Sequence, residues 1–121
     1  MVKRILVVDD ESQIRRVMRS VLLTEGYEVI EAECGEDALK LIRSEKYDLI
    51  LLDINMPGIT GIEVCREVRT SSDIPIIIMS AGEENRKRAL DAGANDYLRK
   101  PFGISQIFSC VKLNLTNEPE S

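Results

Sequence analysis

Four apolar runs in this 121-residue chain each end in residues that could do chemistry. Residues 4–8 (RILVV) run into Asp9, Asp10 and Glu11, and residues 48–52 (DLILL) run into Asp53, with Asn55 just beyond. Residues 74–79 end in Ser80–Ala81–Gly82, and a short run at 96–98 is followed by Lys100–Pro101–Phe102. Brought to one edge of a sheet, these residues would put carboxylates, an amide, a hydroxyl and an ammonium in one cleft. Crowded carboxylates repel one another and call for a cation. All-oxygen ligation suits Mg2+, which keeps several waters and needs few protein ligands, so two carboxylates and a carbonyl suffice. A lysine and a hydroxyl opposite could hold phosphoryl oxygens, the parts needed for phosphoryl transfer. In-line attack by one carboxylate would give an aspartyl phosphate.

The elements that must position these groups can be read from periodicity. Residues 4–8, 28–32, 48–52, 74–79 and 96–98 read as strands, the second less apolar than the first and so suited to an edge. Helical spacing marks 12–24 (Ile14, Val17, Met18, Val21 and Leu22 inward), 36–44, 61–69, 84–92 and 105–115. Pro57 and Gly58 mark a loop after Asp53. Strands apolar at consecutive positions must be covered on both faces, which demands a parallel sheet between helix layers. Right-handed crossovers then give an α/β doubly wound, five-stranded parallel sheet with helices on both faces. A flavodoxin-like order 2-1-3-4-5 fits, although periodicity alone does not select it. In such sheets ligands bind beyond the carboxyl ends of the strands, where the chemistry-bearing residues lie. The expected organisation is one domain over residues 1–116, followed by a polar tail, 117–121.

Composition narrows the function classes. With 16 Lys and Arg against 21 Asp and Glu the net charge is −5, which disfavours direct binding to nucleic acid. The chain has no His, and Cys34, Cys65 and Cys110 form no C-x-x-C pair, which argues against zinc. Separated cysteines, no visible signal peptide and no membrane-length apolar run suggest a reduced, cytoplasmic protein.

Each residue also has an ordinary reading. Asp9 or Asp10 alone could cap a helix, Ser80 could be a loop residue, Lys100 a solvated loop lysine, and Tyr97, Cys65 and Cys110 packing residues. The functional case rests on their coincidence of position.

VDDE at 8–11, LLDINMPGITG at 51–61, MSAG at 79–82 and LRKPF at 98–102 occur in order along nearly the whole chain. Together they resemble the receiver domain of two-component response regulators. The resemblance implies a phosphorelay switch rather than an enzyme, taking a phosphoryl group from a phosphohistidine with Mg2+ as cofactor. It implies Asp53 as the phosphorylated residue, Asp9, Asp10, Asp53 and the Asn55 backbone carbonyl as the metal set, and Ser80, Ala81 and Lys100 around the phosphoryl group. Ser80 and Tyr97 would be switch residues, Tyr97 rotating inward on activation. Gly58 would shape the loop behind the acceptor, and a cis bond before Pro101 would aim Lys100.

The implied partners are a sensor histidine kinase or histidine phosphotransfer domain, an unknown downstream target, and a phosphorylation-dependent homodimer, with no nucleic acid or membrane. The signalling surface would be the fourth helix, fifth strand and fifth helix. The stretch from Ser80 to Lys100 is about two residues shorter than in many relatives, which points to a trimmed fourth helix or leading loop. Gln106 and Cys110 stand where a dimerising receiver would carry a Glu and an Arg, and Asn95 replaces a common Asp.

A haloacid-dehalogenase-type phosphatase is the competing enzyme reading, but Asn55 replaces its general acid and the Asp follows the third strand. A flavodoxin-like cofactor binder would need a phosphate loop where VDDE stands, and a receiver working without phosphate would lack a site residue.

Overall fold

The structure, a computed structural model, describes residues 2–116; the expected tail at 117–121 lies outside them. Strands and helices alternate: β1 (Arg4–Val8), α1 (Ser12–Thr24), β2 (Glu28–Ala32), α2 (Gly35–Ser44), β3 (Leu49–Asp53), α3 (Gly61–Arg69), β4 (Ile76–Ala81), α4 (Arg86–Asp91), β5 (Asp96–Lys100) and α5 (Ile104–Thr116). The strands are all parallel, in the order β2-β1-β3-β4-β5, as expected. β2, less apolar than β1, is an edge, as is β5.

Strand alternation explains why β1, β3 and β4 are apolar throughout. Leu6, Val8, Ile50, Leu52, Ile76 and Ile78 face one way and pack with Ala38 of α2, Val64, Cys65 and Val68 of α3, and Ala89 of α4. Their neighbours Ile5, Val7, Leu49, Leu51, Ile77 and Met79 face the other way, onto Met18 and Leu22 of α1 and Ile107 and Val111 of α5. Each fully buried aliphatic contributes roughly 1.5–3 kcal/mol. A charge at Leu51 of β3, buried and flanked by Val7 of β1 and Ile77 of β4, would forfeit that and add an unpaired buried ion.

Two local devices tie α3 to the end of β3. Thr60 caps the helix: its Oγ1 accepts from the Glu63 amide at 3.2 Å, while Glu63 Oε1 accepts from the Thr60 amide at 3.1 Å. At Gly61 a Cβ would lie 2.2 Å from the Asp53 carbonyl oxygen, so only glycine lets the helix start this close to the strand end.

Several boundaries differ from the expected ones, and two differences bear on the site. β4 begins two residues later and continues through Ser80 and Ala81, and β5 continues through Lys100. Both extensions have one cause: Ser80 pairs with Arg99 and Ala81 with Lys100 in the β4–β5 ladder. α4 is shorter than the expected 84–92. Val17 was expected inward but is 53% exposed: Met18, Val21 and Leu22 carry the buried face of α1, with Ile14 packed beside them.

Candidate functional site

The carboxyl ends of β1, β3, β4 and β5 bring the candidate residues together. Asp9 is fully buried just past β1. Its Oδ1 accepts from the Glu11 amide at 2.9 Å, and its carbonyl accepts from Arg15 Nη1 at 2.6 Å. Asp53, the last residue of β3, is 3% exposed. The Lys100 ammonium bridges the two acids, donating to Asp9 Oδ2 at 3.0 Å and to Asp53 Oδ1 at 3.1 Å. Asp10 is exposed at the mouth, and carboxylate oxygens of Asp9, Asp10 and Asp53 lie within 4.8 Å of one another. Asn55 lies on the exposed loop after β3.

One lysine against three acids leaves the cleft short of positive charge. Burial, and then the Asp9 charge, push the Asp53 carboxyl up to about 6; Lys100 offsets only part of this. Burial opposes the Lys100 charge, but its hydrogen bonds to both acids and their charges outweigh this and raise its pKa. Three hard oxygen donors facing one point, one of them destabilised by crowding, fit a divalent cation such as Mg2+.

Ser80 and Ala81 close the other side. Ser80 is fully buried; its Oγ donates weakly to the Ala81 carbonyl at 3.4 Å and accepts from Asn85 Nδ2 at 3.0 Å. Ala81 is exposed, so the cleft stays open there. Tyr97 of β5 is buried, with its hydroxyl donating to the Gly82 carbonyl and the Arg86 guanidinium 5.0 Å above its ring. The Lys100–Pro101 bond is cis. Gly58 sits at φ +81°, where a Cβ would meet the Glu36 carboxylate at 2.7 Å.

The cysteines pack. Cys65 is buried and donates to the Ala92 carbonyl at 3.5 Å. Cys110 donates to Asp96 Oδ2 at 3.4 Å; burial and the Asp96 charge push its thiol up to about 12, which makes it unreactive. Sequence reasoning missed Asn85, Arg86 and Arg15 as neighbours of the site. Asn85 carried no signal of this, since it falls inside the helix expected at 84–92.

Comparison with known proteins agrees with this fold. Residues 5–112 match the family described as the response regulator receiver domain. The transcriptional regulatory protein ResD of Bacillus subtilis is 49% identical over 111 residues; these cover 90% of this chain but 46% of ResD, so the chain spans about half of that relative. Among solved structures, the response regulator TrrA of Thermotoga maritima, in complex with Mg(2+)-BeF, is 44% identical with a TM-score of 0.87, over 93% of this chain and 99% of that one. A CheY-like receiver domain protein from Methanospirillum hungatei is 32% identical with a TM-score of 0.90, over 96% and 95%. The chain belongs to the response regulator receiver domain family, the phosphoacceptor modules of two-component signalling. The haloacid-dehalogenase reading finds no support among these matches.

Proposed function

We propose that Asp53 accepts a phosphoryl group from a phosphohistidine and that the chain works as a switch rather than as an enzyme with turnover. The observation that carries this is the Lys100 ammonium, shared between buried Asp9 and Asp53 at 3.0 and 3.1 Å with Asp10 alongside. A carboxylate oxygen of Asp53 attacks phosphorus in line, and the P–N bond to the donor imidazole breaks. The imidazole nitrogen leaves with the electron pair. Asp9, Asp10, Asp53 and the Asn55 backbone carbonyl would hold Mg2+, which when bound neutralises the acids and the developing charge on the phosphoryl oxygens. Lys100 then follows the new charge onto a phosphoryl oxygen, and the Ser80 hydroxyl donates to another. Ala81, with only a methyl group, leaves room for them.

Ser80 adjoins the Gly82 carbonyl that Tyr97 holds, so capture of the phosphoryl group by Ser80 would re-set Tyr97 and the face built from α4, β5 and α5. The donor is a sensor histidine kinase or histidine phosphotransfer domain, which implies a cytoplasmic setting. An apolar groove beside the cleft, lined by Ile14, Val17, Met18, Pro101 and Phe102 and reaching Lys100, suits the donor's helix. The family includes transcriptional regulators, as ResD's name states; nucleic-acid contact would fall to other partners, since this domain is acidic. Of the expected partners, a homodimer draws least support. Arg86 is paired within the chain to Glu83, and Asp96 to Cys110 and Asn114.

Calorimetric titration with beryllofluoride tests the proposal. Binding is expected in Mg2+ and lost in chelator and in Asp53→Ala; equal binding by that variant would overturn the assignment.

A further inference from the structure

Asn85 stands at the residue before α4, where an Asn side chain ordinarily accepts from the first amides of its helix. Here it does not: the side chain makes no capping bond, and its backbone is already helical at φ −88° and ψ −8°. Instead its amide nitrogen donates to the buried Ser80 hydroxyl at 3.0 Å, and its carbonyl oxygen accepts from Arg88 Nη1 at 3.2 Å. A local preference given up in favour of a contact with a candidate site residue marks a functional position.

We infer that Asn85 is a positioning residue for Ser80, holding its hydroxyl so that the proton is free to be donated to the phosphoryl group. This rests on the phosphoacceptor reading above. A serine hydroxyl has one proton and two lone pairs. With Asn85 occupying a lone pair, the proton's only partner at rest among the described residues is the Ala81 carbonyl at 3.4 Å, too long to hold it firmly. A hydroxyl that accepts a hydrogen bond is also a better donor. The bond spans five residues and joins the floor of the cleft to α4, whose Arg88 holds the other end of the amide. Phosphoryl capture by Ser80 is therefore felt directly at the first turn of α4. The short segment between Ser80 and α4 serves this arrangement, because Asn85 can reach back to Ser80 across one turn.

The test is a double-mutant cycle on beryllofluoride affinity in Mg2+, using the full chain. Asn85→Ala should weaken binding about fivefold, the worth of one ordinary hydrogen bond. Ser80→Ala should weaken it further, and Asn85→Ala should then have no added effect in the Ser80→Ala background. Asn85→Asp keeps the shape but offers no donor, and should weaken binding at least as much as Asn85→Ala. A merely structural Asn85 would lower the melting temperature and give effects that multiply with those of Ser80→Ala. Multiplicative effects, or unchanged or tighter binding by Asn85→Ala, would overturn the inference while leaving the phosphoacceptor reading intact. A wild-type chain that takes up no beryllofluoride would overturn both. The phosphate-free arm is NMR of the resting protein: the Asn85 side-chain amide resonances should shift on Ser80→Ala, and unmoved resonances would refute the bond itself.

Discussion

The two edges of the sheet collect the same kinds of residue and use them in opposite ways. At the amino edge Arg4 is paired with Glu28 and Glu45 at 3.2 and 2.8 Å, its amide donates to Asp48 at 2.7 Å, and its guanidinium lies over the Tyr47 ring. The Glu28 and Glu45 side chains are about half exposed, so water screens these pairs and they contribute little individually. At the carboxyl edge Asp9 and Asp53 are buried, with a single lysine for both and a third acid at the mouth. Both edges hold more acids than the one cation that serves them; at the amino edge water screens the excess, whereas at the carboxyl edge Asp9 and Asp53 carry it out of water's reach. The lesson is that an ion pair becomes a site when burial leaves the charges unequal and an incoming cation or phosphoryl group can complete them.

Breaking the carboxyl edge should have the largest effects. Lys100→Ala leaves two buried carboxylates without their cation. It should reduce phosphoryl incorporation from acetyl phosphate by on the order of 100-fold, as loss of one charge-stabilising donor does. In chelator it should also destabilise the fold by about 2 kcal/mol, below the range for fully buried pairs because Lys100 is partly exposed, with Mg2+ restoring part of the loss. Denaturant titrations with and without the ion read both effects.

Asp53→Asn should act the other way on stability. It removes the carboxylate that Asp9 repels while keeping the shape. Without Mg2+ it should melt about 4 °C above wild type, roughly what 1 kcal/mol gives in a domain of this size. A lower melting temperature would mean that the Lys100 bond to Asp53 outweighs the crowding.

pH sharpens the same contrast. The Asp53 carboxyl, raised to about 6 from an ordinary 3.8, holds its proton more tightly in the folded chain than in the unfolded one. In chelator its contribution to stability therefore increases as pH falls through 6 and is lost as pH rises above it. Mg2+ binds the ionised form, so the stabilisation it gives should be largest near pH 7.5. Its affinity should fall roughly fourfold by pH 5.5, where about a quarter of Asp53 remains ionised. Melting curves across this range with and without Mg2+ check the sign.

The smallest effect belongs to the amino edge. Arg4→Ala should cause a slight drop in melting temperature that added salt removes, with phosphoryl incorporation unchanged.

Much of this architecture was legible before any coordinates, because apolar runs ending in Asp9, Asp53 and Ser80 encode both a two-faced strand and its functional end. What periodicity could not specify was width and register. Val17 has helical spacing with Met18 and Val21 but sits at the rim of the stripe, where spacing does not decide exposure. Ser80, Ala81 and Lys100 read as loop residues because they are small or polar. They are strand residues because the β4–β5 ladder runs to its very end. Asn85 was illegible as a site neighbour: it falls inside the helix expected at 84–92, and its reach back to Ser80 depends on side-chain geometry that spacing does not carry. The dispersal of Arg86 and Asp96 into bonds within the chain likewise depends on side-chain geometry that spacing does not carry.

The most direct test of the central claim is where a phosphoryl group lands. The chain should be treated with acetyl phosphate and Mg2+, reduced with borohydride to convert any acyl phosphate to a stable alcohol, and sequenced by tandem mass spectrometry. The prediction is reduction at Asp53, dependent on Mg2+; reduction at Asp9, Asp10 or another carboxylate with Asp53 untouched would contradict it.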